Sequence, residues 1–169
     1  MKTRQKEIVA LVVTVAIATI VIFGLQPWLL GGSGLPLSLS RGNLDKWAAE
    51  ILFPTLYLVY ALGALLLFLW MARALSSGFI RAQDVLNTSG LWWIFAIVLG
   101  VVTMLALVGL SFFNGWFADA RNLEPFFWLL GFIIIDVLLI FWLPTALATP
   151  KSMRYVPPGS MLLRKIYGG

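Results

Sequence analysis

Residues 125–147 read PFFWLLGFIIIDVLLIFWLPTAL, an apolar stretch with a single carboxylate, Asp136, near its middle. At about 1.5 Å rise per residue, a helix of this length reaches across a hydrocarbon layer roughly 30 Å thick. Asp136 then falls at the bilayer centre, where insertion costs an Asp roughly 2.5–3.5 kcal/mol. A carboxylate kept there faces a bundle interior, a cavity or a partner. The stretch therefore predicts both a membrane-crossing chain and a polar group that meets Asp136.

The rest of the composition agrees. Of 169 residues, 61% are hydrophobic and 11% charged, where a soluble domain has roughly 45–50% apolar and about 25% charged residues. Mean hydropathy is +0.96, and a water-soluble core of this size could not bury so much apolar surface. The net charge of +5 comes from short basic segments flanking apolar runs. This pattern suits anionic headgroups and topology better than nucleic acid, which is not expected as a partner. Cysteine and histidine are both absent, which excludes disulfides, thiol relays, Cys or His metal ligands, an axial haem histidine and a Ser-His-Asp triad.

Outward from this stretch, three more apolar runs complete an all-α, polytopic integral membrane protein. The expected architecture is a four-transmembrane-helix up-down bundle over residues 1–150, with spans at about 8–30, 47–70, 91–113 and 125–147, each near the roughly 20 residues a span requires. MKTRQKE (1–7) is a basic lead-in, but the run behind it is longer than a signal-peptide core and has no A-x-A site, so it reads as a retained first helix. GGSGLPLSLSR (31–41) reads as a loop, with Asn43 capping the second helix and Pro54 kinking it near the surface. Residues 73–90 fit a short surface-lying amphipathic turn or helix, or an ordinary loop. Pro144 should weaken the last turn of the fourth span.

Counting Lys and Arg gives nine on the side of the termini (Lys2, Arg4, Lys6, Arg73, Arg81, Lys151, Arg154, Arg164, Lys165) against three on the other (Arg41, Lys46, Arg121). By the positive-inside rule both termini are expected to be cytoplasmic. Trp28, Trp47, Trp116 and Trp128 would then form one interfacial aromatic belt, and Trp70, Trp92, Trp93 and Trp142 the other. Residues 151–169 form a basic, Pro/Gly-rich cytoplasmic tail, in which Lys151, Arg154, Arg164 and Lys165 are candidates for headgroup or partner contacts.

Aligning span midpoints puts Thr19, Tyr60, Thr103 and Asp136 at one depth, a candidate intramembrane polar layer in which hydroxyls solvate the carboxyl. Three roles compete for Asp136: a hydrogen-bonded lock between helices of this chain, a contact with a polar group of another subunit, or a proton or cation site. Small residues at Ala10, Thr14 and Ala18, and at Ala96, Gly100 and Gly109, are candidate helix-packing faces. Phosphate-loop, dinucleotide, nucleophile-elbow and zinc-protease motifs are absent from the sequence, and Glu50 stands about half a membrane from Asp136, too far for paired acid–base work.

These features together favour a non-catalytic accessory subunit or assembly factor of a larger membrane protein complex. A small homo-oligomeric transporter or channel using Asp136 is the alternative. The expected partners are the lipid bilayer and other membrane subunits, in a bacterial-type inner or internal energy-transducing membrane. No cofactor is expected beyond bound lipid.

Overall fold

The computed structural model describes residues 2–35, 37, 39–77, 82–150 and 152–166, and among them every regular element is helical. Four helices are long and apolar enough to cross a membrane. We number them α1 (residues 2–33), α2 (Arg41–Ser76), α3 (Ala82–Phe113) and α4 (residues 123–148), with a short tail helix α5 (Ser160–Ile166). Helix α4 packs against each of the other three, α2 also touches α1 and α3, and α1 and α3 take the flanks. The deciding stretch of the sequence therefore shares the centre of the bundle with α2.

Specific contacts set the register. Thr19 bonds Tyr60 at 2.8 Å and Phe23 meets Tyr57 at 5.4 Å, which makes α1 antiparallel to α2. Trp92 bonds Thr145 at 3.0 Å and Gly100 stands against Val137, which makes α3 antiparallel to α4. Gly63 meets Ile140 and Trp70 meets Thr149, so α2 and α4 run parallel. A Cβ added to Gly63 would lie 2.5 Å from Ile140 Cγ2, so only glycine permits this approach.

Of the four long helices, all but α3 contain a proline inside the apolar run, and each absorbs it in the same way. A proline lacks the N–H of a regular helical bond and its ring crowds the carbonyl four residues back. The preceding turn widens to the i→i−5 pattern of a π-bulge: Gln26 N–H donates to Val21 O before Pro27, Phe53 N–H to Ala48 O before Pro54, and Leu143 N–H to Leu138 O before Pro144. The expected weakening of the last turn at Pro144 thus takes the form of one wide turn, and the helix then continues to Ala148.

Several sequence expectations need correcting. The helices outrun the expected spans: residues 73–76 extend α2 and 82–90 open α3, so these residues form neither a separate surface helix nor a loop, while Phe79, Ile80 and Arg81 lie outside the described residues. Ser40, not Asn43, occupies the N-cap position of α2, without a side-chain cap bond. Gly31–Ser33 still belong to α1, and Leu35, Leu37 and Leu39 of the following loop pack on the core. The aromatic belts divide. Trp28, Trp93 and Trp128 are exposed, but Trp47, Trp70, Trp92 and Trp116 are buried. Three of the buried rings donate hydrogen bonds inside the bundle: Trp70 to Thr149 and Trp92 to Thr145 at 3.0 Å each, and Trp116 to Glu50 at 2.9 Å. They are counted better as pins between helices than as interfacial anchors.

The tail folds back onto the end of the bundle. Met153 and Val156 are buried, Trp142 Nε1 donates to Pro158 O at 2.9 Å, and Ser160 Oγ donates to Arg154 O. Arg164 donates to Ala146 O at 3.1 Å and to Thr149 O, covering carbonyls left open at the C-terminus of α4. Burial lowers the Arg164 guanidinium from its ordinary value; the Glu7 carboxylate of α1 opposes this, and Arg154 adds to it. Arg164 is therefore engaged within the chain. Arg154 stacks over Tyr155 at 4.8 Å, Lys165 is exposed, and Lys151 lies outside the described residues.

Two consequences can be measured on detergent-solubilised protein. Gly63→Ala should lower stability by about 1–3 kcal/mol through overpacking, and adding Ile140→Ala should recover part of that loss, so the double substitution costs less than the sum of the singles; strict additivity would contradict the contact. Arg164→Ala should speed amide exchange across residues 146–166 at least several-fold and leave the exchange of α2 unchanged.

Candidate functional site

The polar centre of the bundle is built on the inner stripes of α1 and α4. On α1 the buried positions recur every four residues, at Ala10, Thr14, Ala18, Ile22, Gln26 and Leu30. On α4 they include Phe126, Leu129, Ile133, Asp136 and Ile140, the spacing expected of a helix face turned to a core. Antiparallel packing brings Gln26 and Asp136 together. Gln26 Nε2 donates a hydrogen bond to Asp136 Oδ1, and both residues are 0% exposed.

A carboxyl group away from water needs hydrogen bonds, and a carboxamide is a compact neutral donor that can supply one without a second charge. The arrangement is nevertheless incomplete. Among the described residues, Gln26 Oε1 and Asp136 Oδ2 have no hydrogen-bond partner, and neither do the buried hydroxyls of Thr55 and Ser111. Buried oxygens without partners are uncommon and call for an explanation.

The residues of the expected layer divide between different partners. Thr19 is bonded to Tyr60 and to Val15 O, and Thr103 is buried with its hydroxyl on Leu99 O at 2.8 Å. Asp136 Oδ1 instead accepts from Gln26 of the same chain. Of the expected packing residues, Ala10, Thr14 and Ala18 are buried, while Ala96, Gly100 and Gly109 are half-buried. A Cβ on Gly100 would make ordinary contact with Val137, and one on Gly109 would meet nothing within 4 Å. Among the described residues, the approach between two helices that requires a glycine is at Gly63, which small-residue spacing did not reveal.

Gln26 carried a signal that could have been read. It is the single Asn or Gln within the four expected spans, and two further four-residue steps along the series Ala10, Thr14, Ala18 arrive at it. Thr55, by contrast, is marked in sequence only by its position beside Pro54.

Comparison with known proteins finds no family model, no curated protein and no solved structure that matches this chain.

The pair makes a stability prediction. Gln26→Leu leaves the buried carboxyl without its donor and should destabilise by about 1–3 kcal/mol, more if the group is charged. Replacing both residues, as Gln26→Leu with Asp136→Leu, should restore much of the loss, because removing both partners of a buried polar contact is often close to neutral. Thermal midpoints of the two variants in one detergent decide it; equal destabilisation would show that the contact does not hold the helices.

Proposed function

We propose that this chain is a multi-pass membrane protein that acts as a non-catalytic accessory subunit or assembly factor of a larger membrane complex. The observation that carries this reading is the direction of the polar group. Asp136, the carboxylate deepest in the four apolar helices, is turned inward and held by Gln26, while α1 and α3 present broad apolar outer faces that include Val12, Ile20, Ile94, Leu105 and Phe112. Such faces suit acyl chains and the helices of other subunits. The absence of Cys and His from the sequence removes the residue types most membrane enzymes would need for redox, metal or nucleophilic work.

The basic side of the molecule supports an orientation with both termini in the cytoplasm; a bacterial-type inner or internal energy-transducing membrane is part of the same proposal. A homo-oligomeric transporter or channel is the second reading, and the unpartnered oxygens around Asp136 favour it. Purification from native membranes in mild detergent followed by native mass measurement separates the two. The proposal expects other polypeptides in stoichiometric amounts; a homo-oligomer alone would overturn it.

A further inference from the structure

The tail helix α5 is built inside out. Its inner face is polar: Ser160 is 1% exposed and donates to Arg154 O, and Arg164 donates to Ala146 O and Thr149 O. Met161 and Leu162 are turned the other way, 45% and 66% exposed, and Lys165 is exposed with them. At about 100° per residue Lys165 falls between Met161 and Leu162 on one side of the helix, with Ser160 and Arg164 on the other. A helix packed on a protein in water turns its apolar stripe to the core. The reverse arrangement suits a helix whose outer surround is the boundary of a bilayer.

Direct contacts place α5 beside the end of the fourth apolar helix. It packs on Leu143–Ala148, the last residues of a stretch, Ala120–Ala148, that is long and apolar enough to cross a membrane. Just before α5, Pro158 O accepts from Trp142 Nε1, and a Cβ added to Gly159 would lie 3.7 Å from the Trp142 ring. Glu7 of α1 is near enough for its carboxylate to act on the Arg164 guanidinium. It is also the last charged residue before the apolar run of α1, which opens with the exposed Ile8 and Val9. The ends of two apolar helices therefore meet α5, and its outer side chains stand where hydrocarbon gives way to headgroups.

The tail charges are of one sign. Residues 149–169 include Lys151, Arg154, Arg164 and Lys165 and contain no Asp or Glu. Arg164 is occupied by the carbonyls of α4, which leaves Lys165 and Arg154 as the basic groups toward the surround. Arg154 lies over the Tyr155 ring at 4.8 Å and donates to Tyr155 Oη at 2.6 Å, and the bond from Ser160 ties this turn to the start of α5. Tyr155 is itself exposed. Tyrosine is enriched at the membrane boundary, and Lys and Arg lay their stems along apolar surface while the charged heads reach water and phosphate.

We propose that the outer face of α5 and the Arg154–Tyr155 turn lie in the bilayer boundary and bind anionic phospholipid, with Met161 and Leu162 in the acyl layer and Lys165 and Arg154 on the headgroup. Residues 149–169 offer no carboxylate to the amine of a zwitterionic headgroup, and the nearby Glu7 already acts on Arg164; a headgroup of net negative charge therefore matches the face best. Lipid is favoured over a protein partner because the face adjoins the ends of two apolar helices, where acyl chains are the immediate surround. The placement rests on the membrane-spanning reading of the chain and holds for an accessory subunit and for a homo-oligomer alike.

The test uses the full-length chain, which has no native cysteine, carrying a nitroxide at Leu162→Cys or, as a control on the exposed face of α1, at Ile20→Cys. In nanodiscs of phosphatidylcholine mixed equally with phosphatidylglycerol, both labels should be reached by lipid-soluble oxygen far more than by a water-soluble nickel chelate. Native mass measurement of the detergent-purified chain should show phosphatidylglycerol retained in preference to phosphatidylcholine. Arg154→Gln and Lys165→Gln should each lower that preference about fivefold, and Arg154→Lys with Lys165→Arg should keep it. A label at Leu162 reached mainly by the chelate, with Ile20 in lipid, would overturn the proposal and leave the membrane reading standing; Ile20 reached mainly by the chelate would overturn both. Equal retention of the two lipids, or indifference to the charge substitutions, would also overturn it. So would a Leu162 label shielded from both reagents in native membranes but open to oxygen in nanodiscs, since that assigns the face to another polypeptide.

Discussion

An acid in the middle of an apolar helix must be met by something polar, and this fold is arranged around that requirement. Asp136 lies on the face of α4 that the other helices cover, and Gln26 reaches it from α1. Turning α4 by half a turn would expose the acid to whatever surrounds the bundle and bury Ile134 and Ile135, which now face outward. The contact therefore fixes the rotation of α4, and with it the positions of Ile140 against Gly63 and of Phe141 against Trp92. In an apolar surround, where hydrophobic burial offers little preference for one helix face over another, such a polar contact is among the few terms that select a single packing.

The two ends of α4 are secured differently from its middle. At the end nearer the termini, Trp70 and Trp92 donate to successive inward threonines, Thr149 and Thr145, and Arg164 covers the final carbonyls. That end is thus tied to α2, to α3 and to the tail. At the other end Asp119 accepts from the backbone N–H of Arg121 at 3.0 Å and pairs with its side chain at 2.8 Å, in the short turn that joins α3 to α4; the hydrogen bonds from Arg121 hold the Asp119 carboxyl below its usual range. Between the two ends lie Asp136 and the wide turn at Leu138–Trp142.

Much of the fold was legible in the sequence, because hydropathy over about 20 residues reports directly on a span. The number and order of the long helices follow from it. Helix limits did not, since helices continue beyond the apolar runs as α2 does to Ser76 and α3 does from Ala82. The site was half legible. Asp136 announced itself by its cost, but its partner is set by the rotation and vertical shift of α1, which midpoint alignment ignores: Gln26 sits seven residues beyond the Thr19 that alignment selected. Tryptophan misled for a related reason. The ring is enriched at interfaces, yet its N–H is equally content with a threonine inside, and sequence position alone does not distinguish Trp70 from Trp93.

The central claim, that α4 keeps its Asp136-bearing face against the other helices, is open to one direct measurement, because the chain has no native cysteine. An added Cβ at Gly63 would lie 3.4 Å from Ile140 Cβ, close to the spacing of about 3.5–4.5 Å that a disulfide spans. Oxidising Gly63→Cys with Ile140→Cys in native membranes should give an intrachain disulfide in most molecules, and pairing Gly63→Cys with outward-facing Leu138→Cys should give none. Cross-linking through position 138 in place of 140 would place Asp136 on the outer surface of the bundle and contradict the account.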